Sequence, residues 1–234
     1  MDIIVTDLTK FANEDIVCTA GIEKDSNECI RPMPYLERNY CEAKKILPGS
    51  RINFDGNFDK SRNPKPHVEN CQHIGEVKNL GPCSSEEFKK ILTDTDSQSV
   101  EEGFSVKITE GEKHFPVDSP PPSCSIITLS INPSKIRVHR NTFSAKKLQA
   151  WFFDLKGKKF SKISVTDLGL RIFFEKYGDK GIRTINDFLQ GQEQIFIRLG
   201  LGQKWKSPNG QEGYWMQLNG IYTFPQFLKE ARSY

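Results

Sequence analysis

The stretch Gln194–Pro225, QIFIRLGLGQKWKSPNGQEGYWMQLNGIYTFP, decides how the rest of the chain is read. Apolar and polar residues alternate from Ile195 to Leu199, break at Gly200 and Gly202, and resume from Tyr214 to Leu218. A period of two on both sides of a glycine-rich break predicts a β-hairpin of half-buried strands. Arg198, Lys204, Trp205, Lys206, Tyr214, Trp215, Gln217 and Tyr222 interleave cations with rings along it. Cations that neutralise phosphates and rings that stack on bases recur together on nucleic-acid-binding sheets. The competing reading makes the rings core and the lysines solubilising. Tyr214 and Trp215 are neighbours on one strand and so face opposite ways. The expectation is that Arg198, Lys204 and Trp205 reach a ligand while Trp215 turns into the core.

Short strands with turns between them extend outward from the hairpin in both directions. Ile3–Leu8, Ile16–Ile22 and Cys29–Pro32 read as strands around the turn-rich EKDSNE, and Pro48-Gly49 enters another. Ser84 or Ser85 before Glu86, Glu87, Phe88, Lys89 and Lys90 predicts a short helix with charges matched to its dipole. Gly103–Ile108 is a further strand candidate. The clearest punctuation is Ser119-Pro-Pro-Pro-Ser123, which cannot donate ladder hydrogen bonds. Beyond it Ile126–Ile131, Ile136–His139, Leu148–Leu155 and Phe160–Val165 read as strands. The run from Val165 to Phe174 is open between helix and strand, and Ile185–Leu189 reads as a short helix. The expected fold is mainly β: two consecutive five-stranded barrels with short capping helices. Residues 1–118 form the first, 119–123 a Pro-rich linker, and 124–234 the second.

A chain of 234 residues with 36% hydrophobic content can bury two cores of this size. Its net charge of +3 hides an asymmetry, with 15 basic and 21 acidic residues up to Phe115 and 18 basic and 9 acidic after it. Any polyanion is therefore expected on the basic C-terminal half, and a protein partner on the acidic N-terminal half. No apolar run reaches the roughly 18 residues of a membrane span, and the first residues do not resemble a signal peptide, so a cytoplasmic protein is expected. The six cysteines form no CxxC pair, which favours free thiols. Cys71, His73 and Cys83 could supply zinc ligands, though not at the spacing of a knuckle or ribbon. The run from Asp55 to Asp59 begins like a calcium loop, but Lys60 and Pro66 stand where that loop needs Gly and Glu.

The segments IIVTDLTKF, CTAGIEKDSNECIRP, PHVEN, KFSKISVTDLGLR and GYWMQLNGIYTFPQFL together resemble the bacterial dual OB domain-containing proteins, over essentially the whole chain. That resemblance implies two successive oligonucleotide-binding (OB) barrels, and a function only by analogy with other such barrels. Asn70 stands where the family pattern implies an aspartate.

The function expected is non-catalytic binding of single-stranded nucleic acid by the basic C-terminal barrel. Lys156, Lys158, Lys159, Lys162, Arg198, Lys204 and Lys206 would track phosphates, and Phe160, Trp205 and Tyr222 would stack on bases. Trp151, beside Phe152 and Phe153, is weighed toward the core. Two alternatives stay open at this point. One is a protein-interaction module of a larger complex. The other is a metal-dependent hydrolase or nuclease in which His67 and Glu69, two apart in an extended segment, converge on one ligand. No Walker loop, nucleophile elbow or HExxH motif occurs, and no cofactor is expected.

Overall fold

The first strand, β1 (Asp2–Lys10), is buried along both faces, which an edge strand of one isolated sheet could not be. One face looks into a barrel and the other onto the C-terminal half. The computed structural model describes residues 1–11, 13–142, 144 and 146–231.

The N-terminal half is a closed barrel. After β1 come β2 (Ile16–Glu23), β3 (Cys29–Met33), the short β4 (Leu36–Glu37), helix α1 (Arg38–Ala43), β5 (Ser50–Gly56) and β6 (Asn70–Pro82). The ladders run β1-β2-β3-β6-β5 and return to β1, all antiparallel except β3 with β6. Ile3, Val5, Val17, Ile30, Ile52, Phe54 and Val77 fill its interior. Gly21 allows β2 to cross β1 closely, because a Cβ there would lie 2.5 Å from the Ile4 carbonyl oxygen. Helix α2 (Ser85–Asp94) follows, capped where expected by Ser84, whose hydroxyl accepts from the Glu87 amide at 3.1 Å.

The C-terminal half is built on one large sheet. Its elements are β7 (Asp96–Ser97), α3 (Val100–Phe104), β8 (His114–Pro116), β9 (Ile126–Ile131), β10 (Ile136–Arg140), β11 (Leu148–Phe153), β12 (Lys159–Val165), α4 (Leu168–Gln190), β13 (Gln194–Lys206) and β14 (Glu212–Phe224). The strand order is β10-β11-β12-β14-β13-β9-β7, with β8 on β14 and with β12 parallel to β14. The hairpin of β13 and β14 lies at its centre. Among the described residues no ladder joins β9 to β10. They follow each other through a single 3-10 turn at Pro133–Lys135, capped by the Asn132 side chain.

Three local expectations change. Gly103–Ile108 is not a strand: Ser99 caps α3 through the Glu102 amide, and Glu101 and Glu102 occupy its first turn. The open run near Leu170 and the helix at Ile185 are parts of one element, α4, interrupted by non-helical Gly178 (φ 56°, ψ −134°). The segment before the Pro-rich stretch also takes a different side. β7, α3 and β8 join the second sheet, and Val100, Phe104, Ile108 and Phe115 lie in its core.

The two halves share a junction that is partly apolar and partly ionic. Ile4 and Ile22 pack with Ile91, Leu92, Phe196, Tyr222 and Phe224. Beside them Arg198 of β13 donates from Nε to Asp7 Oδ2 at 2.9 Å and from Nη1 to Thr128 Oγ1 at 2.7 Å. Asn219 adds a bond to the other Asp7 oxygen at 3.1 Å, and the Tyr222 hydroxyl donates to the Thr6 carbonyl. Arg31 and Glu69 form a second buried pair at 3.1 Å that reaches Ser125 of the C-terminal half. Removing such charges from water is costly, and further hydrogen bonds to Asp7 and Glu69 offset part of that cost, although Arg31 Nε is buried without a partner among the described residues.

Candidate nucleic-acid interface

The outer face of the second sheet begins with a β-bulge. Ala150 pairs with Ile163 and Phe152 with Phe160, so Trp151 of β11 stands opposite both Ser161 and Lys162 of β12. Lys162 takes a left-handed conformation there (φ 57°). The extra residue lets Phe160 and Ile163 both point into the core while Lys162 turns to solvent.

Around the bulge the rings and cations alternate. Trp151 and Phe153 meet edge to face at 6.0 Å, and the Lys159 ammonium lies 5.6 Å from each ring centre. Lys135 stands 5.2 Å above Phe153, and Arg137 of β10 pairs in register with Trp151. On the other flank Ser164 pairs with Gln217 of β14. Two residues back along each strand, on the same pleat, are Lys162 and Trp215.

Trp215 is half-buried on this outer face and not in the core. It stacks on His114 at 4.5 Å and 15°, donates from Nε1 to the Trp205 carbonyl at 3.1 Å, and meets the Trp205 ring at 5.5 Å and 71°. Lys113 lies 5.7 Å from the Trp215 ring centre. Burial, and after it the charge of Lys162, lowers the Lys113 ammonium below its usual range. Trp205 is 53% exposed at the hairpin end, between Lys204 and Lys206. The row from Arg137 through Trp151, Lys162 and Trp215 to Trp205 is therefore continuous.

The structure divides the residues expected from sequence. Lys159, Lys162, Lys204, Trp205 and Lys206 are exposed at or beside this row, with Lys204 sharing its charge with Glu212 at 3.1 Å. Lys156 is exposed in the β11–β12 turn. Lys158 is committed elsewhere: its ammonium donates to Glu101 and to the Ile108 carbonyl. Three assignments are corrected. Arg198 is 1% exposed and spends its charge on Asp7, Tyr222 is buried at the junction, and Phe160 is stacked on Phe152 in the core. The sequence reading missed Lys113, His114, Lys135, Arg137 and Phe153, and misplaced Trp151 and Trp215. The one visible signal was alternation, which sets Trp151 and Phe153 out of phase with the inward Leu148, Ala150 and Phe152.

The His67–Glu69 pair does not converge on a ligand. The segment is a turn, closed by the Val68 amide on the Pro66 carbonyl at 2.9 Å, and not an extended strand. Glu69 is saturated: its carboxylate accepts from Arg31, from the Ser125 amide and hydroxyl at 2.6 and 2.7 Å, and from the Ile126 amide at 3.1 Å. His67 is buried against the edge of Tyr214, and burial with the nearby Arg31 charge lowers its imidazole to about 4. Cys71 faces the first barrel's core, and among the described residues no three His, Cys, Asp or Glu side chains gather as a metal site would need. Cys71, His73 and Cys83 are thus not brought together. The thiols of Cys18, Cys29, Cys83 and Cys124 are raised to about 11 or 12, chiefly by burial, and are protonated at neutral pH.

Fold and surface together define a mainly β protein in which a closed five-stranded barrel is fused to a second sheet bearing a basic, aromatic outer face. Comparison of the chain with models of protein families, with curated proteins and with solved structures returned no match.

Proposed function

We propose that the chain binds single-stranded nucleic acid along the outer face of β10, β11, β12 and β14. The observation that carries this reading is the alternation of Trp151, Phe153, Trp215 and Trp205 with Arg137, Lys135, Lys159, Lys162 and Lys113 on one face. Rings offer sequence-tolerant stacking to bases, and the cations between them neutralise phosphates. A duplex, whose bases are already stacked, would use only the cations.

The reading rests in part on a finer view of the fold. We take β9 and β10 as two halves of one strand broken at Pro133, so that each half of the protein has the strand order 1-2-3-5-4. In the second half α4 then lies between the third and fourth strands. That is an OB-type arrangement, and the resemblance to dual OB proteins supports it. The acidic first barrel, fixed to the second by buried ion pairs, would present the binding half rigidly to a protein partner.

The test is equilibrium binding of a labelled oligothymidylate as salt is varied. About five phosphate contacts predict a slope of about −3.5 in log K against log salt for a single strand. A competing duplex of equal length should bind more weakly. Absence of binding to the single strand at low salt would overturn the proposal.

A further inference from the structure

A cavity of about 980 Å³ lies where the two halves meet, and the basic outer face makes no use of it. Leu80 of β6, Phe88 of α2, Phe188 and Leu189 of α4, and Phe224 and Phe227 at the end of the chain contribute apolar walls. The floor is held in place: Phe88 meets Tyr222 edge to face at 4.9 Å, and Phe224 meets Phe196 at 6.0 Å. The lips are in water, with Leu80 59% and Phe227 55% exposed. Such a volume is at the upper end of small-molecule sites, about 300 to 1,000 Å³, and sites of this kind favour the boundary between domains.

The mouth is cationic on one side. Lys44, Lys45 and Lys78 line it, and Lys44 is tied to Glu76 at 2.7 Å. Lys45 and Lys78 have no ion pair among the described residues. An apolar chamber with spare ammonium groups at its rim matches a molecule with an apolar tail and an anionic head. A flat protein face would leave the chamber unfilled.

We propose that this cavity binds a single-chain amphiphilic anion of the long-chain carboxylate class, its tail between Phe88, Phe188 and Phe227 and its head at Lys45 and Lys78. The site is separate from the proposed nucleic-acid face, so either can fail without the other.

The test is fluorescence titration of the full chain with cis-parinaric acid below its micellar concentration, followed by displacement with palmitate or with hexadecanol. One saturable site per chain is expected, with palmitate displacing the probe about tenfold more effectively than the neutral alcohol. Phe227→Glu should weaken binding about tenfold while leaving oligonucleotide affinity unchanged, and Lys45→Glu with Lys78→Glu should erase the preference for the carboxylate. Leu80→Glu serves where Phe227→Glu fails to fold. Overturning results are no saturable binding, binding that survives both sets of substitutions, or equal displacement by acid and alcohol. A concentration-dependent dimer that Phe227→Glu dissociates would assign the mouth to a second copy and also overturn the proposal.

Discussion

Arg198 Nε stands 2.9 Å from Asp7 Oδ2 across 191 residues of chain, with both side chains withdrawn from water. The pair fastens the central hairpin of the second sheet to the first strand of the barrel. Burial by itself would lower the guanidinium, but the charge of Asp7 and the contact with Cys29 raise it above its usual value, so it stays cationic at any accessible pH. A residue that looked like a phosphate contact is thus a structural bolt.

Arg198→Met should destabilise the protein by about 3–5 kcal/mol, because it leaves the Asp7 carboxylate buried without its cation. The double variant Asp7→Leu with Arg198→Met should recover most of that loss, since the uncompensated charge is gone. Urea unfolding of the parent and the two variants measures both effects. Oligonucleotide affinity of the folded double variant should match that of the parent. A loss of affinity there would return Arg198 to the binding face.

His67 links stability to pH. Its imidazole titrates near 6.5 when unfolded and is lowered to about 4 when folded, first by burial and then by Arg31. The folded chain therefore takes up the proton less readily than the unfolded chain. Stability is undiminished above about pH 6.5, falls as pH drops from there to about 4, and levels off below, with a span of about 3 kcal/mol. His67→Phe should flatten this part of the profile of unfolding free energy against pH. An unchanged slope between pH 6.5 and 4 would show that other groups set it.

Helix α3 lies against β9 so closely that Gly103 has no room for a side chain: a Cβ would come within 2.7 Å of Ile127 Cδ1. Gly103→Ala should cost about 1–3 kcal/mol by overpacking. Adding Ile127→Val removes the clashing methyl, so the double variant should be more stable than the sum of the single effects predicts. Strict additivity in chemical unfolding would mean that the helix simply shifts.

Strands with regular alternation were legible. Ile126–Ile131 matches β9, and the Gln194–Pro225 hairpin lies within a residue or so of β13 and β14. The closed first barrel was expected from its inventory of short strands, but β6 itself was not read as a strand, because it carries polar residues and two glycines through most of its length. Gly103–Ile108 misled because Ser99, the cap that makes α3 a helix, lies four residues earlier. At the surface, composition located the basic half but not the face. Arg198 and Lys162 look equivalent in sequence, yet one is turned inward by a strand buried on both sides and the other outward by a bulge. Neither cause is a local property. Each depends on what the neighbouring strand brings opposite.

The aromatic row itself gives the sharpest test of where a ligand lies. Trp205 is exposed at the hairpin end, Trp215 is held between His114 and Trp205, and Trp151 lies beyond Lys162 on the same face. Replacing each by alanine should weaken oligothymidylate binding by about 1–3 kcal/mol where a base stacks on it. Lys162→Ala should weaken binding and make the salt slope shallower by about 0.7, the share of one phosphate on a single strand. Lys158→Ala should leave the slope alone, because Glu101 and the Ile108 carbonyl already hold that ammonium. Loss in Trp205→Ala with full affinity in Trp151→Ala would confine the ligand to the hairpin end. Full affinity in all three tryptophan variants would remove the row as the binding surface.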